Sequence, residues 1–553
     1  MMDFGPIGLE IKRIDHFGII SGITRDLGIC ELIDEMIGVD TQEILTTGDV
    51  VLGMIINGLG FASRPLMLTP QFFENKALDI LIKPGVKPNH FNRHRIGRAL
   101  DRISEFGCEK FFNQLALSAC VKEGVNTQIG HADTTSYELH GHYDLGLDEH
   151  GEPIEEHRIK ITHGYSKANR PDLKQIVQEL ITVEDGGIPL ITKTLSGNAS
   201  DTTILKERVD ALKAEFAKST GRIFVADSKL YASKTAETLN KIYFITRVAA
   251  TLNAEQDYIA QSLKNSDKWI KISNDYKYQE FSVKELDIED QRWVVFFSTP
   301  AYNRSKKTIE KEITKEQKTI EKELNKLQIT MFGCESDAVR AMQKATKKWR
   351  YHKIKSMSLQ EIKKYNDRGR PTSETPYSFK FHIIITFEID QEKINTILNH
   401  RSCFVLAANI ASLSAAEILS TYKAQDHTEK AFAFLKKPEF FTASLNLEKP
   451  GRIEAILTIM VLSLLVYSVA QRRLRKQLQA AKQTLPDQLK KPTDKPTMRW
   501  IFQQFEGFDL VKYIPFPTVE KTFIHGITPL RQQIVSLLGP TVFKIYQTFF
   551  EGG

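Results

Sequence analysis

Cysteine is scarce and follows no pattern. The five residues, Cys30, Cys108, Cys120, Cys334 and Cys403, are odd in number and show no CxxC spacing. This argues against a disulfide framework or a zinc ribbon and fits a reducing, cytoplasmic setting. No sign of charge dominates either. Lys and Arg number 75 against 68 Asp and Glu, and a net charge of +7 is too small to establish a polyanionic partner. Long apolar runs are nearly missing. One segment, "AILTIMVLSLLVYSVA" (455–470), reaches the lower limit of a membrane span and is followed by "RRLRK". It is short, holds Thr458, Ser463 and Ser468 and has no second span to join, so it reads as a buried core helix. A single membrane anchor is the alternative. The opening "MMDFGPIGLEIKRIDHFG" lacks the basic-then-apolar order of a secretory signal, and no internal repeat is visible.

What is present is a chain of 553 residues, enough for two to four domains. Its basic residues cluster in "KKWRYHKIK" (347–355), "KKYNDRGR" (363–370) and "RRLRK" (472–476). Such stretches can neutralise phosphates locally, although solvated helix faces would look the same. Residues 1–125 carry apolar positions at three- and four-residue spacing, as in "DVVLGMIINGLGFA" (49–62), which predicts a helical N-terminal module. From 126 the period changes. "TQIGHADTT", "SYELHGHYD", "HRIKITHGY" and "IPLITKTLSG" read as strands, 202–219 as a helix, and "GRIFVADSKLY" (221–231) as a buried strand ending at Asp227. The expected fold class is therefore α/β, a mixed sheet with flanking helices over 126–249 and 401–480. An α+β domain at 250–400 interrupts it, and a helical tail follows at 481–553. Within the insertion, 303–328 is an amphipathic helix with Ile309, Ile313, Ile320, Leu324 and Leu327 as its stripe. A helix is expected from 412 to 436, and "LPDQLKKPTDKPT" (485–497) reads as a linker.

Three acidic residues occupy positions suited to chemistry. Asp133 lies in or at the end of a strand, Asp227 ends another, and Glu429 sits on the helix after "FVLAANI" (404–410). Carboxylates so placed can converge and hold two divalent cations at a phosphodiester. Magnesium suits this because it takes oxygen ligands and keeps several waters. Around Glu429, "TYKAQDHTEKAFAFLKK" sets Tyr422, Gln425, Glu429 and Lys436 at offsets zero, three, seven and fourteen, one face of a continuous helix. Ala431, Phe434 and Leu435 fall on an apolar side. An ordinary amphipathic helix would show the same spacing. The histidines of "HADTTSYELHGHYD" (131–144), His131, His140 and His142, raise a zinc alternative, but no cysteine or glutamate follows at a telling distance. Strand packing is the simpler reading for them. Asp201 suits a helix N-cap. Ser228 and Tyr231 suit capping or packing beside Asp227, and His163 a structural or phosphate-assisting role.

With these residues in view, "YKAQDHTEKAFAFLKK" resembles the Y-x2-R-x3-E-x6-K signature of a group of bacterial insertion-sequence DDE transposases. Tyr422, Glu429 and Lys436 match, and Gln425 stands where the signature has arginine. "HADTTS" and "VADSKLY" resemble the two aspartate motifs of that family. "THGYSKANRPDLKQ" (162–175) and "SGNASDTT" (196–203) resemble conserved blocks between them. The resemblance covers roughly 130–250 and 400–440. It implies an RNase H-like catalytic fold split by an insertion, with Asp133, Asp227 and Glu429 as catalytic and metal-binding residues for two Mg²⁺, which Mn²⁺ could replace. Tyr422, Gln425 and Lys436 are the implied DNA contacts; Arg170 and Lys174 in "NRPDLKQ" are further candidates for contacting the DNA backbone, with a solvated turn as the alternative. The activity implied is transposition: binding of terminal inverted repeats, strand cleavage and strand transfer into target DNA. A homodimer or higher oligomer would act on double-stranded DNA, in the cytoplasm and without a membrane, and the N-terminal helices would bind the element ends. A neutral amide at 425 cannot make the bidentate phosphate contact of a guanidinium. Two alternatives follow: a catalytically decayed DNA-binding descendant, or an RNase H-like nuclease that does not transpose.

Overall fold

A computed structural model describes residues 8–61, 66–141, 143, 159–166, 169–199, 217–365, 370–373, 375–437, 447, 449–514 and 521–547. The chain divides into two compact units. One comprises residues up to 246, 286–288 and 419 onward; the other comprises 247–285 and 289–418.

The first unit begins with a short strand, β1 (Gly8–Arg13), followed by helices α1 (Phe17–Asp26), α2 (Ile29–Ile37), α3 (Thr47–Gly58), α4 (Arg93–Phe106) and α5 (Cys108–Lys122). Local chemistry sets the helix starts. Thr46 and Asp49 cap α3 reciprocally, each side chain accepting from the other's main-chain N–H at 3.1 and 2.9 Å. Asn92 caps α4 by accepting from His94 and Arg95. Next come β2 (Ile129–Leu139), β3 (Lys174–Val183), β4 (Pro189–Ser196), β5 (Ile223–Ala226) and β6 (Tyr243–Arg247). These five pair in the order β4-β3-β2-β5-β6. The β2, β3 and β4 ladders are antiparallel, whereas β5 runs parallel to both β2 and β6. The unit is thus mixed α/β.

The second unit contains β7 (Ile270–Lys271), β8 (Tyr276–Ser282), β9 (Arg292–Ser298), the long helix α6 (Thr299–Ile329), α7 (Glu335–Thr346), a two-stranded ribbon β10 (His352–Tyr365) with β11 (Tyr377–Ile389), and β12 (Cys403–Ala408). Strand β12 pairs antiparallel with β9, and β9 with β8. On α6 the expected stripe turns inward, with Ile309, Ile320 and Leu324 buried and Ile313 and Leu327 partly so. The aromatic residues of "KKWRYHKIK" are core residues here: Trp349 is 7% exposed and Tyr351 2%. The lysines and Arg350 of that run face solvent.

After the second unit come α8 (Asp426–Leu435), α9 (Pro450–Ala481), β13 (Asp509–Ile514), β14 (Lys521–His525) and two helices, Pro529–Leu538 and Pro540–Gln547. Helix α9, 32 residues long, contains the apolar run. It is long and apolar enough to cross a membrane, yet 89% of its apolar window is buried inside the protein. That apolar stretch therefore serves as a core helix, apolar around its circumference because nearly all of it is covered.

Several expectations change. The N-terminal module is not all helical and the tail is not purely helical, because β1 pairs with β13, and β13 with β14. No local period announces a ladder whose strands lie some five hundred residues apart. Strand β3 was not expected; it is buried on both faces from Gln175 to Val183, so its sequence lacks clean alternation. "TQIGHADTT" and "SYELHG" merge into one strand, β2. The supposed linker at 485–497 holds a small hairpin, Leu485–Pro486 with Pro492–Thr493. The helix expected at 412–436 breaks into Ala415–Lys423 and α8. The helix expected at 202–219 lies, except for its last residues, outside the described residues, as do His142, Asp144 and Asp201.

Burial also sets a pH limit on the first unit. His16 stacks against Phe502 at 4.5 Å between ring centroids, faces the Leu59 carbonyl at 3.0 Å, and is held down to a pKa of about 4 chiefly by desolvation. His131 is lowered to about 4 for the same reason, with His427 adding repulsion. Because the unfolded chain takes up these protons near pH 6.5, stability is lost as pH falls from 6.5 towards 4. Thermal unfolding followed by circular dichroism should show this decline, and His16→Phe, which keeps the stacking, should flatten it. An equal decline in that variant would remove His16 from the account.

Candidate active site

The two aspartates meet through strand register. In the parallel β2/β5 ladder, Ile129, Gly130 and His131 pair with Ile223, Phe224 and Val225. Asp133 and Asp227 each lie two residues beyond the last of these pairs, so they occupy matched positions on neighbouring strands. Backbones at such positions are about 4.8 Å apart. Both residues are half-buried. Asp133 Oδ1 accepts from the Thr134 N–H at 2.7 Å, and Asp227 Oδ1 accepts from the Lys229 N–H at 3.0 Å, an Asx turn that closes β5. The Asp227 carbonyl also accepts from Thr246 Oγ1 of β6 at 2.8 Å and from the Leu230 N–H. Leu230 and Tyr231 are buried, so Tyr231 packs the turn.

Helix α8 lies on the face of β2 that carries Asp133. Thr428 Oγ1 donates to the His131 carbonyl at 3.2 Å and meets Thr182 Oγ1 at 2.6 Å; Thr182 is the β3 partner of His131. At the other end of the helix, Lys436 Nζ sits 5.4 Å from the centre of the Tyr137 ring. Residues 131, 133, 135 and 137 share one face of a strand. The two anchors therefore bracket the stretch of β2 that contains Asp133. Glu429 adjoins the first anchor, is exposed, and lies seven residues before Lys436, on the same side of the helix. Buried Ala431, Phe432, Phe434 and Leu435 hold α8 in place.

The other expected residues are placed differently. Gln425 is only 8% exposed and sits at the helix break, where its carbonyl accepts from the Thr428 and Glu429 N–H groups. Tyr422, half-buried, belongs to the preceding helix, so the four signature residues do not share one continuous face. Lys174 opens β3 opposite Leu139, about 20 Å along the strand from Asp133. Arg170 lies in an exposed turn and pairs bidentately with Asp172 at 2.9 and 2.7 Å. His131 is fully buried, and His140 follows the far end of the same strand, about 30 Å away. These two histidines cannot share a zinc ion. Among the described residues, no three His, Cys, Asp or Glu side chains are grouped closely enough to hold a metal.

The blocks "THGYSK" and "SGN" have a packing role that periodicity did not reveal. The Gly197 N–H donates to the Lys160 carbonyl at 2.9 Å, and Gln175 Nε2 donates to the Gly197 carbonyl at 2.7 Å. A Cβ on Gly164 would collide with the Gly197 carbonyl oxygen, and one on Gly197 with the carbonyl oxygens of Gln175 and Thr162. Glycine is required at both positions because main chain meets main chain. Thr428 and Thr182, which fasten α8 to the strands, were also missed. Their signal was a threonine beside Glu429, legible only once β3 is recognised.

A family described as "Domain of unknown function (DUF4277)" matches residues 9–117, which spans β1 and the N-terminal helices. No curated protein matches the chain. Among solved structures, the chain is similar to a piggyBac transposase in a synaptic complex with hairpin DNA. The identity is 8%, the similarity covers 90% of this chain and 82% of that one, and the TM-score is 0.35. A likeness at that level does not establish a common fold.

Proposed function

We propose that this chain is a DNA transposase with an RNase H-like catalytic domain, and that Asp133, Asp227 and Glu429 form its catalytic centre. The observation that carries the reading is the matched register of Asp133 and Asp227 on neighbouring parallel strands, beside a helix that bears Glu429. The strand order β4-β3-β2-β5-β6, three antiparallel and then two parallel, supports the RNase H-like assignment. Two carboxylates at matched positions are hard oxygen donors suited to a shared Mg²⁺ or Mn²⁺, which needs few protein ligands. Asp133 and Asp227 would hold such an ion; Glu429, which this structure does not group closely enough with them to make a three-ligand site, would complete a two-ion centre on closer approach of α8. The chemistry supplied is charge neutralisation at a phosphodiester and a lower pKa for a bound water or hydroxyl.

The protein's own contribution is positioning. Thr428 and Lys436 fix α8 along β2 and so set the approach of Glu429 to Asp133. The Asx turn at Lys229 aims Asp227. Tyr422, Lys436, Arg170 and Lys174 would orient phosphates of the element end and its flank, and buried Gln425 would support the helix that presents Glu429. The N-terminal helices would bind the terminal inverted repeats, and a homodimer would pair two ends in the bacterial cytoplasm. Each 3′-hydroxyl freed by water attack on the element-end phosphodiester would then attack a target phosphodiester, displacing its 3′-oxygen as the leaving group.

The test is cleavage of DNA carrying the gene's own flanks in the presence of Mg²⁺. Wild-type protein should cut at defined repeats and join the ends to target DNA, and Glu429→Ala should do neither. Binding without cutting by the wild type would point to a decayed DNA-binding descendant. Cutting without end pairing or joining would point to a nuclease.

A further inference from the structure

Between α8 and α9, within the first unit, runs an open groove of about 880 Å³. Its walls carry five Lys or Arg side chains, Lys430, Lys437, Arg472, Arg475 and Lys476, and one acidic residue, Asp185. That acid is already neutralised. Arg472 holds it bidentately at 2.7 and 2.6 Å and donates its remaining N–H groups to the carbonyls of Glu123 and Gly124. Arg475 is held by the Pro496 and Lys495 carbonyls, which satisfy donors without cancelling its charge. Lys430, Lys437 and Lys476 are exposed, and the pair Lys430 makes with Asp426 is a surface pair that an incoming anion can replace at little cost. None of these cations belongs to the catalytic centre or phosphate contacts assigned above.

We propose that this groove is a track for the phosphodiester backbone of duplex DNA. The inference rests on the reading of the chain as a DNA-processing enzyme and names where the duplex beside the catalytic carboxylates is held. Lys430 lies on α8 and Lys437 two residues past its C-terminal end, roughly 10 Å apart along the helix axis. That is close to the axial rise of three phosphate-to-phosphate steps on one strand, about 10 Å. On α9, exposed Lys476 and half-buried Arg475 form the opposite wall, while Arg472 is spent on Asp185. Cations spread along two walls suit an extended polyanion, whereas a small anion would need them to converge on one point. Lys430 directly follows Glu429, so a backbone lying along this track passes the carboxylate.

The experiment measures binding of the full-length protein to a labelled duplex of unrelated sequence, by fluorescence anisotropy, between 50 and 200 mM salt. Each phosphate contact contributes about 0.9 to the slope of log affinity against log salt. The triple variant Lys430→Gln, Lys437→Gln, Lys476→Gln should lower that slope by about 2 to 3 and weaken binding on the order of 10- to 100-fold at moderate salt. A control triple on exposed α6 residues, Lys311→Gln, Lys315→Gln, Lys318→Gln, should change the slope by less than one. Circular dichroism verifies that both variants fold. An unchanged slope in the groove variant, an equal loss in the control, or no duplex binding by wild type overturns the track. Wild-type protein that binds but cuts nothing, with the slope loss intact, fails the transposase reading and leaves the track standing.

Discussion

Asp227→Ala is expected to reduce Mg²⁺-dependent strand cleavage by on the order of 10³-fold or more while leaving affinity for duplex DNA nearly unchanged. The asymmetry follows from location. Asp227 sits at the end of β5, matched in register with Asp133, whereas the proposed DNA track lies elsewhere in the first unit. A carboxylate that holds a catalytic cation supplies several kcal/mol of transition-state stabilisation, and about 1.4 kcal/mol is tenfold in rate. The substitution also removes the acceptor for the Lys229 N–H, which could loosen the turn. Asp227→Asn separates the two effects because its amide oxygen can still accept that hydrogen bond while the negative charge is gone. Cleavage lost in both variants, with the melting temperature of Asp227→Asn close to that of wild type, is the pattern a metal-binding carboxylate gives. Cleavage retained by Asp227→Asn would reduce Asp227 to a turn residue.

What could be read from the sequence was local. The apolar stripe of α6, the core helix α9, the strand ending at Asp227 and the apolar side of α8 each follow from a short window of residues. What could not be read depended on partners far along the chain. The Asp133–Asp227 relation needs the β2/β5 register, and nothing within ten residues of either aspartate specifies it. Strand β3, buried on both sides, carries Gln175, Gln178 and Glu179 among its aliphatic residues and so shows neither alternation nor an unbroken apolar run. Its absence from the reading also hid Thr182 and the clasp on α8. The break at Ala424 and Gln425 hid the true exposure of the signature. Offsets of zero, three, seven and fourteen describe one face only if the helix is continuous, and the structure instead buries Gln425 and exposes Glu429. Aromatic residues between lysines at 347–355 resembled a nucleic-acid surface, yet Trp349 and Tyr351 are drawn into the second unit's core.

Arg473→Ala should destabilise the first unit by about 3–5 kcal/mol, the range for breaking a buried ion pair from one side. Arg473 projects from α9 with its side chain 13% exposed and spans three elements. It pairs with Asp26 of α1 at 2.6 Å and with Glu123 just past α5 at 2.5 Å, and it donates to the Leu538 carbonyl at 2.7 Å. Both carboxylates are themselves largely buried, at 16% and 13%. Removing the guanidinium leaves two desolvated charges and a carbonyl without their partner, a larger loss than the pairs' own attraction. Arg473→Lys keeps the charge but not the planar fork, so one ammonium cannot serve both carboxylates and an intermediate loss is expected. Arg452, bound to Asp101 at 2.7 and 2.6 Å, provides the contrast. Its side chain and that of Asp101 are about one-third exposed, so water compensates either when the other is removed. Arg452→Ala should cost about 1 kcal/mol or less through the lost ion pair. Denaturant midpoints for the three variants test the ranking, and equal costs at Arg452 and Arg473 would show that burial of the acids is not what fastens the N-terminal helices to α9.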